Sequence, residues 1–194
     1  MKSQQQDFAE GWRTNFNFGH TFCMAIQRAL TVPMRSHYGI EALGWPCVLA
    51  LALMVIWYMA SRDSWMLYWI FFWLLCLAAR RLESIRLNLK GARIPSYYDG
   101  WPDLMCFCKT ENMAKLIGEP VFISLLGASV YWFYTELGWE TSGLPTFLLS
   151  GVVALPFVEG VKQTIWRKRI QSMVDAKIEN EAMISDFRDK YGNL

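Results

Sequence analysis

The sequence has only two histidines, His20 and His37, and none of the common catalytic motifs. It lacks G-x-S-x-G, Walker A and H-E-x-x-H patterns, which indicate serine hydrolases, nucleoside triphosphatases and zinc proteases. Both histidines precede the long apolar segments, whereas a haem bound between helices needs histidines within them. We therefore expect no catalytic residue, no metal ligand and no cofactor, and we predict that the protein is not an enzyme.

Cysteines and net charge exclude further classes. The five cysteines are an odd, scattered set, which is not typical of a disulfide framework. Cys106 and Cys108 have no second pair to complete a zinc site, and the sequence leaves a redox role for them open. The net charge is +2, so the chain lacks the basic excess of nucleic-acid-binding proteins, and we expect no nucleic-acid partner.

Charge is also missing from long apolar runs. Within residues 45–79 the only charged residues are Arg62 and Asp63, which lie near the middle. Two apolar segments around a four-residue polar turn indicate a transmembrane helical hairpin, and residues 120–159 suggest a second one. The rival interpretation, a soluble helical domain, would have to bury four such helices under little polar cover. The sequence therefore predicts an all-α integral membrane protein whose first partner is the lipid bilayer.

The four predicted spans cover residues 40–60, 65–80, 120–137 and 144–161, and together they form a membrane domain over residues 40–161. A loop over residues 81–119 connects the two hairpins. No helix-breaking residue precedes Gly91, so the second helix should continue to about Lys90. Pro156 lies inside the fourth span and is expected to kink it.

Two helices are predicted outside the spans. In the N-terminal segment, 1–39, residues 18–30 have apolar side chains at helical spacing, with Gln27 and Arg28 facing away from them. This pattern predicts a short amphipathic helix on the membrane surface or under the bundle, and an ordinary packing helix is an equal alternative. Residues 162–194 predict a long amphipathic helix with a basic start and a mixed, acid-rich end.

The distribution of basic residues predicts the orientation. Arg62 is the only one of the 19 lysines and arginines that lies in either short turn between spans. Basic residues are concentrated on the cytoplasmic side of membrane proteins. We therefore expect both termini and the 81–119 loop to be cytoplasmic, both short turns to be outside, and the protein to reside in the cytoplasmic (inner) membrane.

Bulky aromatic or apolar side chains in three places predict contacts with other chains, because such residues anchor interfaces. For the row in the second span, a lipid-facing or core position is favoured over such a contact. In the tail, Lys177 and Asn180 interrupt the heptad pattern, so a dimeric coiled coil is less favoured. The candidate interaction residues are Trp65, Trp69, Phe72 and Trp73 in the second span, Tyr97, Tyr98 and Trp101 in the loop, and Ile178, Ile184 and Phe187 in the tail.

Small residues four apart predict close packing of the third and fourth spans. Ser124 and Ala128 have this spacing in the third span, and Ser150 and Ala154 have it in the fourth. Small side chains at this spacing let two membrane helices approach closely.

Charged residues near the inner helix ends are interpreted as ion pairs. Glu119 and Glu159 are expected to pair with Arg80, Arg81 or the basic cluster after the fourth span. A proton path is the less favoured alternative, because end-of-helix charges reach the interface at low cost.

These features predict a non-enzymatic structural or accessory subunit of a larger membrane assembly, such as a secretion, conjugation, respiratory or envelope complex. Its partners would be other membrane subunits or copies of itself. The first alternative is a homo-oligomeric pore or channel. The second is a membrane enzyme acting on lipid, whose polar site would come from Tyr97, Tyr98, Asp99, Asp103, Glu111 and Glu119.

Overall fold

The computed structural model describes residues 2–91, 95–138 and 143–191, with side chains described for 17–91, 95–138, 143–184 and 187. The described chain is mostly helical, and its only sheet is one short antiparallel pair of strands, β1 and β2. The elements are α1 (Lys2–Thr31), β1 (Arg35–Ser36), α2 (Trp45–Ser61), α3 (Ser64–Leu89), β2 (Trp101–Pro102), α4 (Glu111–Met113), α5 (Glu119–Glu136) and α6 (Gly143–Tyr191).

Four helical stretches in the described part are long and apolar enough to cross a membrane. They cover Glu41–Ser61, Ser64–Leu89, Glu111–Glu136 and Gly143–Ile184. Each overlaps one of the four predicted spans, and the prediction of four membrane-length apolar helices is therefore confirmed. This architecture is compatible with an integral membrane protein.

The first hairpin forms around the polar turn that the sequence places there. Arg62 adopts the left-handed conformation, with φ of 53°, and ends α2. Asp63 then caps α3, because its carboxylate accepts a hydrogen bond from the Trp65 backbone N–H at 3.0 Å. As predicted, α3 continues well beyond the apolar segment, and it ends at Leu89, just before Gly91.

The N-terminal helix differs from the prediction. It begins at Lys2 rather than Phe18, and the described side chains of its last two turns are buried on all sides. Gln27 and Arg28 are 1% and 6% exposed, whereas Phe18 on the predicted apolar stripe is 75% exposed. Gln27 and Arg28, which lie off the predicted apolar stripe, are therefore buried as well.

The reason is that the end of α1 inserts among the spans. The indole Nε1 of Trp73 on α3 donates to the Arg28 carbonyl at 3.3 Å. The Leu30 side chain packs against Gly151 of α6 so closely that a Cβ at this glycine would overlap it. Helical spacing identifies the helix but does not show that both of its faces are covered.

The predicted fourth span and tail helix are one continuous helix, α6, which passes through Pro156 without interruption. The chain divides into two units, Met1–Val158 and Glu159–Leu194. In the second unit, the side chains from Thr164 to Ile184 are exposed.

The core of the first unit is formed by α1, α2, α3, α5 and α6. Trp73 and Met54 are fully buried, and Phe147 packs edge-on against Trp57 with ring centroids 5.5 Å apart. Fully buried core side chains also include Leu30, Tyr38, Leu43, Met66, Ile123, Leu148 and Leu155.

Candidate functional site: a buried ionic cluster and the surrounding surfaces

A short strand pairing brings two loops together. Arg35 and Ser36 pair with Pro102 and Trp101 in antiparallel register. The Asp103 N–H also donates to the Met34 carbonyl at 3.0 Å. The segment after α1 and the segment before α4 therefore form one platform.

Two glycines allow the close approach within this platform. At Gly39, whose N–H donates to the Tyr98 carbonyl at 3.0 Å, a Cβ would lie only 2.3 Å from the Ser96 carbonyl oxygen. Gly100 has φ of +84°, and a Cβ there would lie 3.0 Å from the Arg35 Cβ. A left-handed residue without a side chain is needed at this position, and it places the preceding Asp99 beside the arginines.

Two ion pairs form the centre of what we call the ionic cluster: Arg28, Arg35, Asp99 and Glu119. The Arg35 guanidinium donates from Nε to Glu119 Oε1 at 2.7 Å and from Nη2 to Oε2 at 2.5 Å. Both of these side chains are completely buried. Arg28 Nη2 pairs with Asp99 Oδ1, and Arg35 Nη1 approaches the Asp99 carbonyl at 3.4 Å. Bidentate contacts of this kind are the strongest form of arginine–carboxylate recognition.

A second polar group adjoins the cluster. Glu111 Oε1 accepts from the Tyr98 hydroxyl at 2.8 Å and from Lys115 Nζ at 2.6 Å. The Lys115 ammonium also lies 5.0 Å from the centre of the Tyr98 ring. A π-helical turn over Ala114–Gly118 connects α4 to α5 and places Lys115 and Glu119 on the protein side, where both are buried.

Burial raises the pKa of Tyr38 and Tyr98, two tyrosines of this platform. The pKa of Tyr38 rises to about 12, chiefly because burial disfavours the phenolate. Its hydroxyl donates to the Thr31 carbonyl at 2.9 Å. Burial also raises the pKa of Tyr98, and the hydrogen bond to the Glu111 carboxylate adds to this effect. Both side chains are therefore neutral hydrogen-bond donors at physiological pH.

The carboxylates that were candidates for a lipid-acting site are engaged within the chain. Asp99 and Glu119 are ion-paired with arginines, and Glu111 is paired with Lys115. Asp103 binds Arg80 Nη2 at 3.0 Å and accepts from the Ser36 hydroxyl at 3.0 Å. The described residues include no group of three or more histidine, cysteine, aspartate or glutamate side chains that could hold a metal ion.

The predicted partners of Glu119 are wrong. Glu119 pairs with Arg35, because the β1–β2 pairing carries Arg35 to the start of α5. Arg80 instead binds Glu83 at 3.1 Å in addition to Asp103.

The two other residues in the predicted ion pairs also have defined contacts. Arg81 donates to the Leu43 carbonyl at 2.8 Å rather than to a carboxylate. Glu159 lies 3.8 Å from Lys162, which belongs to the basic cluster expected to pair with it.

The aromatic row of the second span does not form one surface. Trp73 is fully buried in the core and Trp69 is half-buried, whereas Trp65 and Phe72 are exposed. The reason is that the end of α1 covers Trp73, which the spacing along α3 cannot reveal.

The other candidate interaction residues are mostly exposed. In the loop, Tyr97 and Trp101 are exposed, and Tyr98 is half-buried against Glu111. In the tail, Ile178, Ile184 and Phe187 are each more than half exposed.

A glycine, Gly127, lies at a contact between the third and fourth spans. Gly127 of α5 faces Leu149, where a Cβ would lie 3.1 Å from the Leu149 side chain. Of the predicted small residues, Ala154 is buried and Ser124 is half-buried, but Ala128 is exposed, and its assignment to the interface is wrong. Ser150 donates to the carbonyl of residue 147 within its own helix at 2.6 Å. A glycine in the middle of an apolar span was the available signal for this contact.

Asp63 is the polar residue whose importance the sequence interpretation missed. It is 1% exposed, and its carboxylate accepts from the Tyr134 hydroxyl at 3.0 Å and from the Leu144 N–H at 2.9 Å. It therefore joins the first hairpin to the second. The available signal was an aspartate directly before a helix, which is a preferred N-cap, but the contacts across the bundle have no sequence signature.

Comparison of the chain with protein-family models, with curated proteins and with solved structures finds no match.

Proposed function

We propose that this chain is a non-enzymatic structural or accessory subunit of a larger membrane assembly, of the kind found in secretion, conjugation, respiratory or envelope complexes. The observation that carries the proposal is the set of exposed large apolar side chains in the unit Glu159–Leu194. Its exposed large apolar residues are Ile165, Trp166, Ile170, Met173, Val174, Ile178, Met183, Ile184 and Phe187.

An apolar surface of this extent favours coverage by another chain. Burial of each large apolar side chain contributes about 1.5–3 kcal/mol. The helix is also rich in charge at its exposed positions, and Lys177 lies 3.8 Å from Glu181. A helix with polar and apolar exposed positions is suited to docking in a groove or beside another helix.

The ion pairs within the described platform support the same proposal. Its buried charged side chains are engaged with one another, so the platform acts as an internal brace. A bundle stabilised by internal ion pairs, with a helix whose large apolar side chains are exposed, is suited to binding a partner chain.

We further propose that the protein resides in the cytoplasmic membrane with both termini in the cytoplasm. The distribution of basic residues supports this orientation, with Arg62 alone in the short turns. The contacts of Asp63 with Tyr134 and Leu144 support it too, because they bring the ends of both hairpins together at one end of the bundle. Residues 139–142 of the second turn lie outside the described part.

The test of the proposed function is the composition of the particle extracted in mild detergent or native lipid. We expect other polypeptides to co-purify in a fixed ratio. The double variant Ile178→Ser, Ile184→Ser should lose at least one of them. The control, Gln171→Ser with Ala176→Ser, changes two exposed residues of the same helix that are not large apolar side chains and should retain them.

Two results would contradict the proposal. A closed ring of this chain alone would favour the pore, and a lone monomer from native membranes would leave no assembly to explain. Retention of all partners by the Ile178 and Ile184 variant would show that the tail is not part of the interface.

The orientation has a separate test. Cys106 is exposed and Cys108 is half-buried. A thiol reagent that cannot cross membranes should leave both unlabelled in intact cells and should label an Arg62→Cys variant. Labelling of Cys106 in intact cells would show that the orientation is the reverse of the one proposed.

A further inference from the structure

One side of α3 carries a row of exposed apolar side chains. The row continues past the apolar segment into the charged end of the helix, at the helical spacing of three or four residues, with the small Ala78 between its two halves. Its large members are Leu67, Phe71, Leu75, Leu82, Ile85 and Leu89, each at least 45% exposed.

The length of the row matches a membrane. From Leu67 to Leu89 it extends over about 33 Å at a rise of about 1.5 Å per residue, close to the roughly 30 Å of a bilayer's hydrocarbon core. Leu82, Ile85 and Leu89 therefore continue the lipid-facing side of the span, although they lie among charged residues.

The opposite side of this helix end faces the protein. Ser84 is buried, and Glu83 and Leu87 are half-buried. Arg80 and Arg81 are engaged there, with Asp103 and with the Leu43 carbonyl.

Arg86 and Lys90 are placed differently. They are four residues apart, both are exposed, and they border the apolar row. No carboxylate in the described part of the chain forms an ion pair with either of them. Two like charges at this spacing repel each other, and an anion held between them would convert the repulsion into attraction.

We propose that the C-terminal end of α3 binds an anionic phospholipid. The acyl chain lies along Leu82, Ile85 and Leu89, and the headgroup phosphate binds the Arg86 guanidinium and the Lys90 ammonium. The apolar row alone accommodates any lipid, and the two adjacent cations select a negatively charged headgroup. The inference rests on the membrane placement of α3 and is independent of the proposed assembly.

The test uses the purified full-length chain in detergent, with phosphatidylglycerol and phosphatidylcholine as probes and native mass spectrometry as the readout. We expect the chain to retain phosphatidylglycerol in preference to phosphatidylcholine. The variant Arg86→Gln, Lys90→Gln should bind phosphatidylglycerol about 30-fold more weakly, since each basic residue near a membrane surface contributes roughly fivefold.

The control variant Arg62→Gln, Lys109→Gln removes the same two positive charges from exposed positions away from the row and should bind as the unmodified chain does. Circular dichroism of both variants checks that they are folded. Equal retention of phosphatidylglycerol by the unmodified chain and the Arg86 and Lys90 variant would overturn the proposal, and so would equal retention of the two lipids.

The lipid test is separable from the test of the assembly. A lone monomer that retains phosphatidylglycerol selectively would support the lipid site and contradict only the proposed assembly. A co-purifying chain that is lost on Ile85→Ser would assign the row to that chain and overturn the lipid proposal.

Discussion

The two ends of the helical bundle are held together by different chemistry. At the ionic cluster, two arginines and two carboxylates neutralise each other, and the Arg35–Glu119 pair is fully buried. At the other end, the buried Asp63 carboxylate accepts hydrogen bonds from the Tyr134 hydroxyl and from two backbone N–H groups. One end depends on matched charges, and the other depends on one acceptor that satisfies several donors.

This difference determines how substitutions at each end should lower the stability of the fold. Removing one partner of a buried ion pair leaves an uncompensated charge, whereas removing both leaves none. Removing a shared acceptor leaves several weaker, neutral donors without a partner. The fold should therefore tolerate replacement of both partners of an ion pair in the ionic cluster. At Asp63, stability should not depend on an oppositely charged partner.

The largest expected effect is at the ionic cluster. Glu119→Ala should destabilise the fold by about 3–5 kcal/mol, because the Arg35 guanidinium remains buried without its partner. The measurement is unfolding of the purified chain by a denaturing detergent titrated into mixed micelles.

The paired replacement Arg35→Met, Glu119→Leu is the matched control. It should recover most of the loss, to within about 1 kcal/mol of the unmodified chain. A double variant as unstable as Glu119→Ala alone would show that the cluster acts through more than its charge balance.

The second effect is at Asp63. Asp63→Ala should cost about 2–3 kcal/mol, because the N-cap of α3 and the bonds to Tyr134 and Leu144 are all lost. Tyr134→Phe removes only one of these bonds and should cost about 1 kcal/mol in the same unfolding assay. If the two variants were equally unstable, the backbone N–H contacts would contribute nothing.

Alanine substitutions at two glycines, one inside the platform and one on α1, test the close packing of the platform. Gly39→Ala should destabilise the fold by about 1–3 kcal/mol, because its Cβ would meet the backbone at Ser96. Gly19→Ala on α1 has open space around it and should instead stabilise by up to about 1 kcal/mol. Comparable melting temperatures for the two variants would contradict the packing of the loops around Gly39.

The smallest effect is an alkaline pH dependence of stability from Tyr38, whose ring centre lies 5.8 Å from the guanidinium carbon of Arg28 in the ionic cluster. Because the pKa of Tyr38 is raised from 10.0 to about 12, its contribution is complete below pH 10 and is lost as the pH rises towards 12. Tyr38→Phe should flatten the fall in stability over this range, although the raised pKa of Tyr98 adds a fall of the same sign. An unchanged pH profile in this variant would show that Tyr38 does not contribute to the fall in stability at alkaline pH.

Local sequence information was sufficient for the helices. The apolar runs predicted the four membrane-length helices, and the absence of a breaker before Gly91 predicted that α3 continues to about Lys90, close to its end at Leu89. It was insufficient for the beginning of α1 and for the boundary predicted between the fourth span and the tail helix. The beginning of α1 lacks an apolar run, and the sequence around residue 161 has no break that would separate a span from a tail.

The contacts that join the helices were decided only by the tertiary structure. Arg35 and Glu119 are 84 residues apart, and Asp63 and Tyr134 are 71 apart. Composition and periodicity determined which segments become membrane-length helices, because those properties act over a few turns of one chain segment. Whether Trp73 faces lipid or the core, and which carboxylate meets which arginine, depends on how distant segments pack, because burial and pairing are set by neighbours that the local sequence does not contain.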